Sequence, residues 1–158
     1  MLQRKRAWDL LREKYVAISD DAGLPQVIKS INEGIKKDPL NNFALVFNKR
    51  EEFKGVVSMW NVLQAMGPCL LKNVSLRGEV DWDEAFHGAL RTCSQVGIRD
   101  LVQKDVPVIP PTEPLARVME IFLDYRRGRA VVAEGGRVMG VVLLFDLYRE
   151  VGRDVEEW

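Results

Sequence analysis

The sequence predicts an α+β (α/β) protein built from two copies of one unit. Residues 55–67, GVVSMWNVLQAMG, align without a gap with residues 140–152, GVVLLFDLYREVG, at an offset of 85 residues. A second ungapped pairing, at an offset of 91 residues, aligns residues 8–24 with residues 99–115. Such a repeat in one small chain usually means that two half-units pack together, because neither half buries its apolar face alone.

Copy one begins with a short helix predicted over residues 2–14. Its strands are predicted at residues 15–18, 43–47 and 54–59, where β-branched and aromatic residues are concentrated. An amphipathic helix lies between the first two strands, with an apolar stripe at Leu24, Val27, Ile28, Ile31 and Ile35. Asn61 is expected to open the last helix of this copy, and Gly67-Pro68 to end it.

Copy two repeats this order after a connector and a linking helix. Asp81 followed by Glu84 is similar to a capping box at the start of that linking helix. The strands are predicted at residues 106–109, 130–133 and 138–144, with a tight turn at residues 134–137. Thr112 is expected to cap the helix that begins near Leu115, and Gly152 to end the last helix. The predicted boundaries are 1–68, 69–97, 98–152 and a frayed tail at 153–158.

Composition indicates an ordinary soluble globular protein. Apolar residues make up 47% of the 158 residues and charged residues 29%. Lys plus Arg equals Asp plus Glu at 23 each, so neither nucleic acid nor a membrane is predicted as a partner. The basic segment Met1 to Arg6 is not followed by the apolar stretch of a signal peptide.

Two cysteines, Cys69 and Cys93, lie 24 residues apart and belong to no CxxC or CxxH motif. We therefore predict two free thiols, and neither a zinc site nor a disulfide framework. Free thiols suit a reducing compartment, so a cytoplasmic location is predicted.

No motif in the sequence predicts an enzyme or a catalytic cofactor. The single histidine, His87, lies between apolar helix positions and has no accompanying nucleophile motif, which favours a structural role. Asp81, Asp83 and Glu84 are explained by the dipole at a helix start. Walker, GxGxxG, HExxH and GxSxG motifs are absent from the sequence.

Each copy combines an Asp-Leu helix, a strand, an amphipathic helix, a hairpin and the pattern Gly-Val-Val-x-x-x-Asp/Asn. This order resembles the cystathionine-β-synthase (CBS) domain family, and two copies in tandem resemble a Bateman module. The resemblance spans about residues 8–67 and 98–152. It implies two β-α-β-β-α half-units packed as a pseudo-two-fold sandwich. In the family, the clefts between the halves commonly bind adenosyl ligands such as AMP, ADP, ATP or S-adenosylmethionine.

The family's ligand motif is Gly-hydrophobic-hydrophobic-Thr/Ser-x-x-Asp, in which the aspartate binds ribose hydroxyls and the hydroxyl side chain binds phosphate. Copy one supplies Ser58 but carries the amide of Asn61 where a carboxylate is expected. Copy two supplies Asp146 but carries Leu143 at the hydroxyl position. The resemblance therefore assigns Asp146 to ribose and leaves copy two short of a phosphate contact.

Two arginines near the hairpin of copy two are candidates for that contact. Arg127 and Arg129 would replace the missing hydroxyl, or else belong to a solvated basic turn, residues 126–129. Ala17 and Val108 match the strand positions that line the adenine pocket in the family. As apolar residues they fit a hydrophobic core equally well.

These features favour a regulatory, non-enzymatic sensor of an adenosyl ligand that acts on a regulated protein partner. The alternative is a ligand-free scaffold for dimerisation or protein interaction, which the incomplete motifs favour. Nucleic-acid binding through residues 126–129 is a third reading, which the neutral charge disfavours.

A homodimer is expected, because the last helix of each copy is apolar around much of its circumference. The residues concerned are Trp60, Val62, Leu63, Met66, Phe145, Leu147, Tyr148 and Val151. Alternatively, the Trp8 helix or the helix from Trp82 to Cys93 covers them within one chain.

Overall fold

The computed structural model describes residues 4–75 and 82–158. In these ranges the strands are β1 (Val16–Ser19), β2 (Phe43–Phe47), β3 (Phe53–Ser58), β4 (Val108–Ile109), β5 (Arg129–Glu134) and β6 (Arg137–Leu143). The helices are α1 (Leu24–Lys37), α2 (Met59–Ser75), α3 (Trp82–Cys93), α4 (Leu115–Tyr125) and α5 (Leu144–Glu156). The predicted α+β class is confirmed.

The two copies form sheets of identical topology. The first sheet has the order β1-β2-β3 and the second the order β4-β5-β6. In each sheet the first pair of strands is parallel and the second pair is antiparallel. The repeat found in the sequence is therefore a repeat of the fold, with a helix after each first strand and each third strand.

The chain divides into two compact units, and each combines one copy with a segment from elsewhere in the chain. The first unit is residues 16–103, and the second consists of residues 104–158 with the N-terminal residues up to 15. Gln103, although it lies within the predicted copy two, is bonded to Val56 of copy one, and Arg12 of the N-terminal segment is bonded to Val141 of copy two. The boundaries 1–68, 69–97 and 98–152 stay a prediction for the extent of the repeats.

Each unit has its own hydrophobic core between its sheet and its helices. The core of the first unit is formed by Ile18, Leu24, Val27, Ile31, Ala44, Val46, Val57, Val62, Met66 and Ile98. The core of the second unit is formed by Ala7, Ile109, Leu115, Val118, Phe122, Ala130, Val132, Val142 and Leu147. Burial of one such Val, Leu or Phe side chain contributes about 1.5–3 kcal/mol.

The helix predicted over residues 2–14 is wrong in extent, because only a 3-10 helix at Ala7–Leu10 is present in the described part of that range. The N–H groups of Ala7 and Trp8 donate to the carbonyls of Glu113 and Pro111, at 2.8 and 3.1 Å. A backbone donor used in this way is lost to a regular helix. We call residues 4–12 the strap.

The helix of copy one does not end at Gly67-Pro68 as predicted, because α2 continues to Ser75 with Pro68 inside it. Proline in a helix interior costs about 3 kcal/mol, since it removes one hydrogen bond and crowds the preceding turn. Packing of α2 against α3, together with a covalent bond from Cys69 to Cys93, offsets this cost.

The prediction of two free thiols is wrong, because Cys69 and Cys93 form a disulfide with their Cα atoms 5.8 Å apart. Cys69 lies on α2 and Cys93 ends α3, so the pairing depends on how these helices pack. A motif search that looks for closely spaced cysteines is blind to such a pairing.

Three further expectations fail, two at helix ends and one in a strand. Thr112 is not a cap, since α4 follows Pro114 without a side-chain cap. The last helix passes through Gly152 to Glu156, and the hydrogen bond from Arg153 to Glu150, at 2.8 Å, supports this extra turn. The strand predicted at 106–109 is reduced to Val108–Ile109. The capping box predicted at Asp81 falls outside the residues that the structure describes.

Candidate functional site

Asp146, the predicted ribose anchor, lies in the first turn of α5, three residues after Leu143. Arg12 donates two hydrogen bonds to it, from Nε to Oδ2 at 2.6 Å and from Nη2 to Oδ1 at 3.0 Å. The Arg12 side chain is 25% exposed and the Asp146 side chain 15%. The carboxylate is thus held in a bidentate, partly buried ion pair, which is stronger and more directional than a single contact.

The strap places Arg12 through its backbone. The Arg12 N–H donates to the Val141 carbonyl at 2.8 Å, and the Val141 N–H donates to the Arg12 carbonyl at 3.0 Å. Gly140 makes this approach possible, because a Cβ at this position would collide with the Arg12 carbonyl oxygen. The glycine that opens the copy-two motif therefore has a structural reason that the sequence alone did not reveal.

A second ion pair joins the strap to α5. Lys5 Nζ lies 2.7 Å from Oε2 of Glu150, a buried carboxylate that also accepts a hydrogen bond from Arg153 at 2.8 Å. Asp146 and Glu150 are four residues apart, which places them on the same face of α5. The two carboxylates on this face of α5 therefore form ion pairs with basic side chains from the two ends of the strap.

Sequence reasoning missed Arg12 as part of the site. The offset of 91 residues aligns Arg12 with Gln103, and Gln103 forms the same pair of backbone hydrogen bonds with Val56, at 2.8 and 3.0 Å. A signal was therefore present in the repeat. The alignment of Arg12 with Gln103 indicates a role for Arg12 in the site only once the strap is known to lie against β6.

In copy one, Ser58 and Asn61 bond to each other at the start of α2. The N–H and the hydroxyl of Ser58 both donate to Asn61 Oδ1 at 2.9 Å, and the Asn61 N–H donates to Ser58 Oγ at 3.3 Å. This reciprocal pattern is a capping box with an amide in place of the usual Glu or Gln. Ser58 is buried, so these polar groups stabilise the helix start.

In copy two, the basic turn lies at the start of α5. The Leu144 N–H donates to the Gly128 carbonyl at 2.8 Å, which joins this turn to the first residue of α5. Arg129 lies opposite Leu143 across β5 and β6 and is half-buried, whereas Arg127 is exposed. Burial, with a smaller contribution from the positive charge of Arg127, lowers the pKa of Arg129 below its usual value.

Ala17 and Val108, the predicted adenine-pocket positions, are both exposed on their strands. Val108 is 53% exposed although it is a β-branched apolar residue. Neither side chain therefore belongs to a hydrophobic core, and their contact with adenine stays a prediction.

The remaining candidates are less specific. His87 is exposed on α3. Across residues 4–75 and 82–158, no group of three or more His, Cys, Asp or Glu is placed to hold a metal ion. The first unit has an open cavity of about 520 Å³ lined by acidic and basic side chains together, including Asp21, Lys49 and Arg99. A hydrogen bond from Ser19 lowers the pKa of Asp21 in this cavity.

Comparisons with known proteins agree with this architecture. Residues 98–153 match the family model described as CBS domain. The CBS domain of a membrane protein from Sphaerobacter thermophilus has a TM-score of 0.71 at 18% identity, over 94% of this chain and 88% of that chain. Residues 98–153 are a CBS domain, and the chain has the fold of a CBS domain pair.

Two other solved CBS structures are similar over nearly their whole length. CBSX2, solved in complex with AMP, has a TM-score of 0.64 at 17% identity, over 94% of this chain and 97% of that chain. A CBS domain pair solved with 5′-methylthioadenosine and S-adenosylmethionine has a TM-score of 0.65 at 14% identity, over 95% and 98%. At these identities the similarity establishes the fold.

Other similar structures are longer than this chain. The chain spans 60% of a protein from Methanocaldococcus jannaschii and 48% of the cytosolic domain of the Mg²⁺ channel MgtE. No curated protein sequence matches this chain significantly. No described helix has the length and apolar character needed to cross a membrane.

Proposed function

We propose that this CBS domain pair is a non-enzymatic regulatory module that senses an adenosyl ligand at copy two. Asp146 accepts the ribose hydroxyls, and Arg129, with Arg127, receives the phosphate. The observation that carries the proposal is the placement of a carboxylate and a half-buried arginine at the start of one helix, α5. AMP, ADP, ATP and S-adenosylmethionine are the candidate ligands.

The two copies differ in ways that favour copy two as the occupied site. Copy one places an amide and a hydroxyl at the motif positions, and these groups bond to each other. Copy two places a carboxylate in its first helical turn and a cation opposite Leu143. Exposed Val108, on the neighbouring strand, supplies an apolar surface for a base.

Solved relatives of the same fold support this class of ligand. CBSX2 is in complex with AMP, a CBS domain pair is in complex with 5′-methylthioadenosine and S-adenosylmethionine, and the MgtE cytosolic domain is in complex with ATP. Each of these ligands has an adenosyl group. The ribose that we propose Asp146 contacts is therefore common to all of them.

A ligand at this site signals by binding one conformation of the module more tightly than another. Allosteric couplings of this kind are typically about 1–3 kcal/mol. The regulated protein partner and a cytoplasmic location are part of the proposal. Free thiols no longer support a cytoplasmic location, because Cys69 and Cys93 form a disulfide.

Titration calorimetry on ligand-free protein tests the proposal with AMP, ADP, ATP and S-adenosylmethionine. Asp146→Ala should weaken binding by about ten- to a hundred-fold, because charge-assisted hydrogen bonds are worth about 1.5–3 kcal/mol. Asn61→Ala removes the equivalent side chain of copy one and should leave the affinity unchanged. Binding no tighter than millimolar by all four ligands would refute the sensor.

The alternative function is a dimerisation scaffold, which the exposed apolar side chains of α2 and α5 favour. Trp60 is 70% exposed and Tyr148 is 73% exposed. Leu63 and Phe145 are also exposed, whereas Val62, Met66 and Leu147 are buried in the cores of their own units. We therefore propose a homodimer that forms through the four exposed residues, with or without a bound ligand. These residues are Trp60, Leu63, Phe145 and Tyr148.

A further inference from the structure

The strap ion pair lies on the same carboxylate that the proposed ligand requires. We propose that Arg12 and the ribose of the ligand compete for Asp146, so that Arg12 sets the affinity and ligand binding loosens the strap. This inference rests on the proposed function and adds a gating residue to it.

The geometry of the ion pair indicates direct competition. Arg12 reaches both carboxylate oxygens, Oδ2 through Nε at 2.6 Å and Oδ1 through Nη2 at 3.0 Å. A guanidinium bound in this way occupies the edge of the carboxylate that lies between its two oxygens. Two vicinal hydroxyls that donate one hydrogen bond to each oxygen require the same edge. The two partners therefore exclude each other.

The ion pair is weak enough for a ligand to displace. The Arg12 side chain retains 25% exposure and the Asp146 side chain 15%, so the guanidinium regains water as it leaves. Ion pairs at exposed positions contribute little to stability, and partial burial with bidentate geometry makes this pair only moderately stronger than those. A ligand that supplies two hydroxyls and a phosphate offsets such a loss.

Copy one provides an internal comparison. Gln103 and Arg12 form equivalent backbone hydrogen bonds with Val56 and Val141. Asn61 and Asp146 are both the third residue of the helix that follows. Both charged members of the Arg12–Asp146 pair thus have amides, Gln103 and Asn61, at the equivalent positions of the first unit. The gate is present only where the ribose-binding carboxylate is present.

Displacement of Arg12 has a consequence for the rest of the strap. The ion pair of Arg12 with Asp146 and that of Lys5 with Glu150 both join the strap to α5. The backbone bonds of Arg12 with Val141 lie next to the pair that is lost. By linkage, the ligand weakens the seating of the strap by the same factor by which the seated strap weakens the ligand.

The test is titration of the full chain with AMP by calorimetry. Arg12→Gln introduces the residue found at the equivalent place in the first unit, Gln103, and should bind AMP about three- to ten-fold more tightly than the unmodified protein. Arg12→Lys keeps the charge but loses the bidentate fork, and it should show a smaller gain. Arg117→Gln is the matched control, because it removes an arginine from the exposed pair with Glu120 and should leave the affinity unchanged.

Hydrogen exchange of the backbone amides of residues 5–12 provides the second readout. Saturating AMP should accelerate their exchange in the unmodified protein, and should accelerate it less in Arg12→Gln, where the strap is already loosened. Adenosine should have the same effect as AMP, because the competition involves the ribose. If Arg12→Gln does not fold, as judged by thermal unfolding, Arg12→Lys and the exchange experiment decide.

The outcomes separate this inference from the proposed function. Equal or weaker AMP binding by the folded Arg12 variants, with AMP bound by the unmodified protein, overturns the gate and leaves the sensor intact. Protection of residues 5–12 by AMP also overturns the gate. If neither the unmodified protein nor the Arg12 variants bind AMP or the other adenosyl ligands, the proposed function fails and this inference fails with it.

Discussion

Arg129 lies directly opposite Leu143 in the antiparallel pair of β5 and β6. At the equivalent place in copy one, Phe43 lies opposite Ser58. Side chains that face each other in this way have Cβ atoms about 4.5–5.5 Å apart. The polar group has therefore moved from one strand to its neighbour between the two copies, while the position next to the helix start is retained.

The presence of Arg129, in place of a hydroxyl on the neighbouring strand, predicts which ligands need an arginine for binding. Arg129→Ala should weaken AMP and ATP by about ten-fold, since a charge-assisted contact to phosphate is worth about 1.5 kcal/mol, and should leave adenosine nearly unchanged. Arg127→Ala, at an exposed position, should show the same preference with a smaller loss. Calorimetric titration of the three ligands measures it. Equal losses for adenosine and ATP would return residues 126–129 to a solvated basic turn.

The Arg12 and Asp146 pair predicts a coupling in unfolding experiments. Arg12→Gln and Asp146→Asn should each lower the free energy of unfolding, because each leaves a partly buried charge without its partner. The double variant, which has the two amides of the first unit, should lose less than the sum of the single losses by about 0.5–2 kcal/mol. Urea unfolding of the four proteins measures the cycle. Strict additivity would show that the ion pair contributes nothing to stability.

Gly140 and Gly152 predict opposite effects of the same substitution. Gly140→Ala should destabilise the protein by about 2 kcal/mol or more, since the new methyl group collides with the Arg12 carbonyl and displaces the strap. Gly152→Ala introduces a methyl group into open space inside α5 and should stabilise it by about 0.5–1 kcal/mol. Thermal unfolding of both variants is sufficient. A tolerated Gly140→Ala would mean that the strap is not seated on β6 in solution.

The exposed residues Trp60 and Tyr148 predict the assembly state. Sedimentation at micromolar concentration should give a dimer of the 18.0 kDa chain, and Trp60→Glu combined with Tyr148→Glu should give a monomer. Leu123→Glu is the matched control, an equally exposed apolar residue on α4, and should leave the dimer intact. A monomer of the unmodified chain, or a dimer that survives the double substitution, contradicts the prediction.

Most of the regular structure could be predicted from the sequence, because it depends on local periodicity. The run at residues 43–47 is aromatic and aliphatic, the run at 138–144 is rich in valine, and both form strands within one or two residues of the predicted ends. The alignment of residues 55–67 with 140–152 identified the repeat and placed Asp146 at a helix start. These features depend on residues that are close together in the sequence.

The features that were missed depend on residues that are far apart in the sequence. Arg12 and Asp146 are separated by 134 residues, and no periodicity links them. Cys69 and Cys93 are paired only because α2 and α3 pack together. The sequence places Asn61 at the ribose-binding position of copy one, and its hydrogen bonds with Ser58 become apparent only once the first turn of α2 is known.

The strap precedes copy one in the sequence but packs in the second unit, and this affects when the second unit can fold during synthesis. Lys5 and Glu150 are 145 residues apart in the sequence. The strap therefore cannot form its ion pairs until α5 has been synthesised. Loop closure over such a separation slows folding relative to local contacts. A fragment that begins at residue 98 would lack the donor and acceptor that Arg12 offers to Val141. Copy two in isolation is therefore an incomplete folding unit, although it is the part of the chain that carries the family's sequence signature.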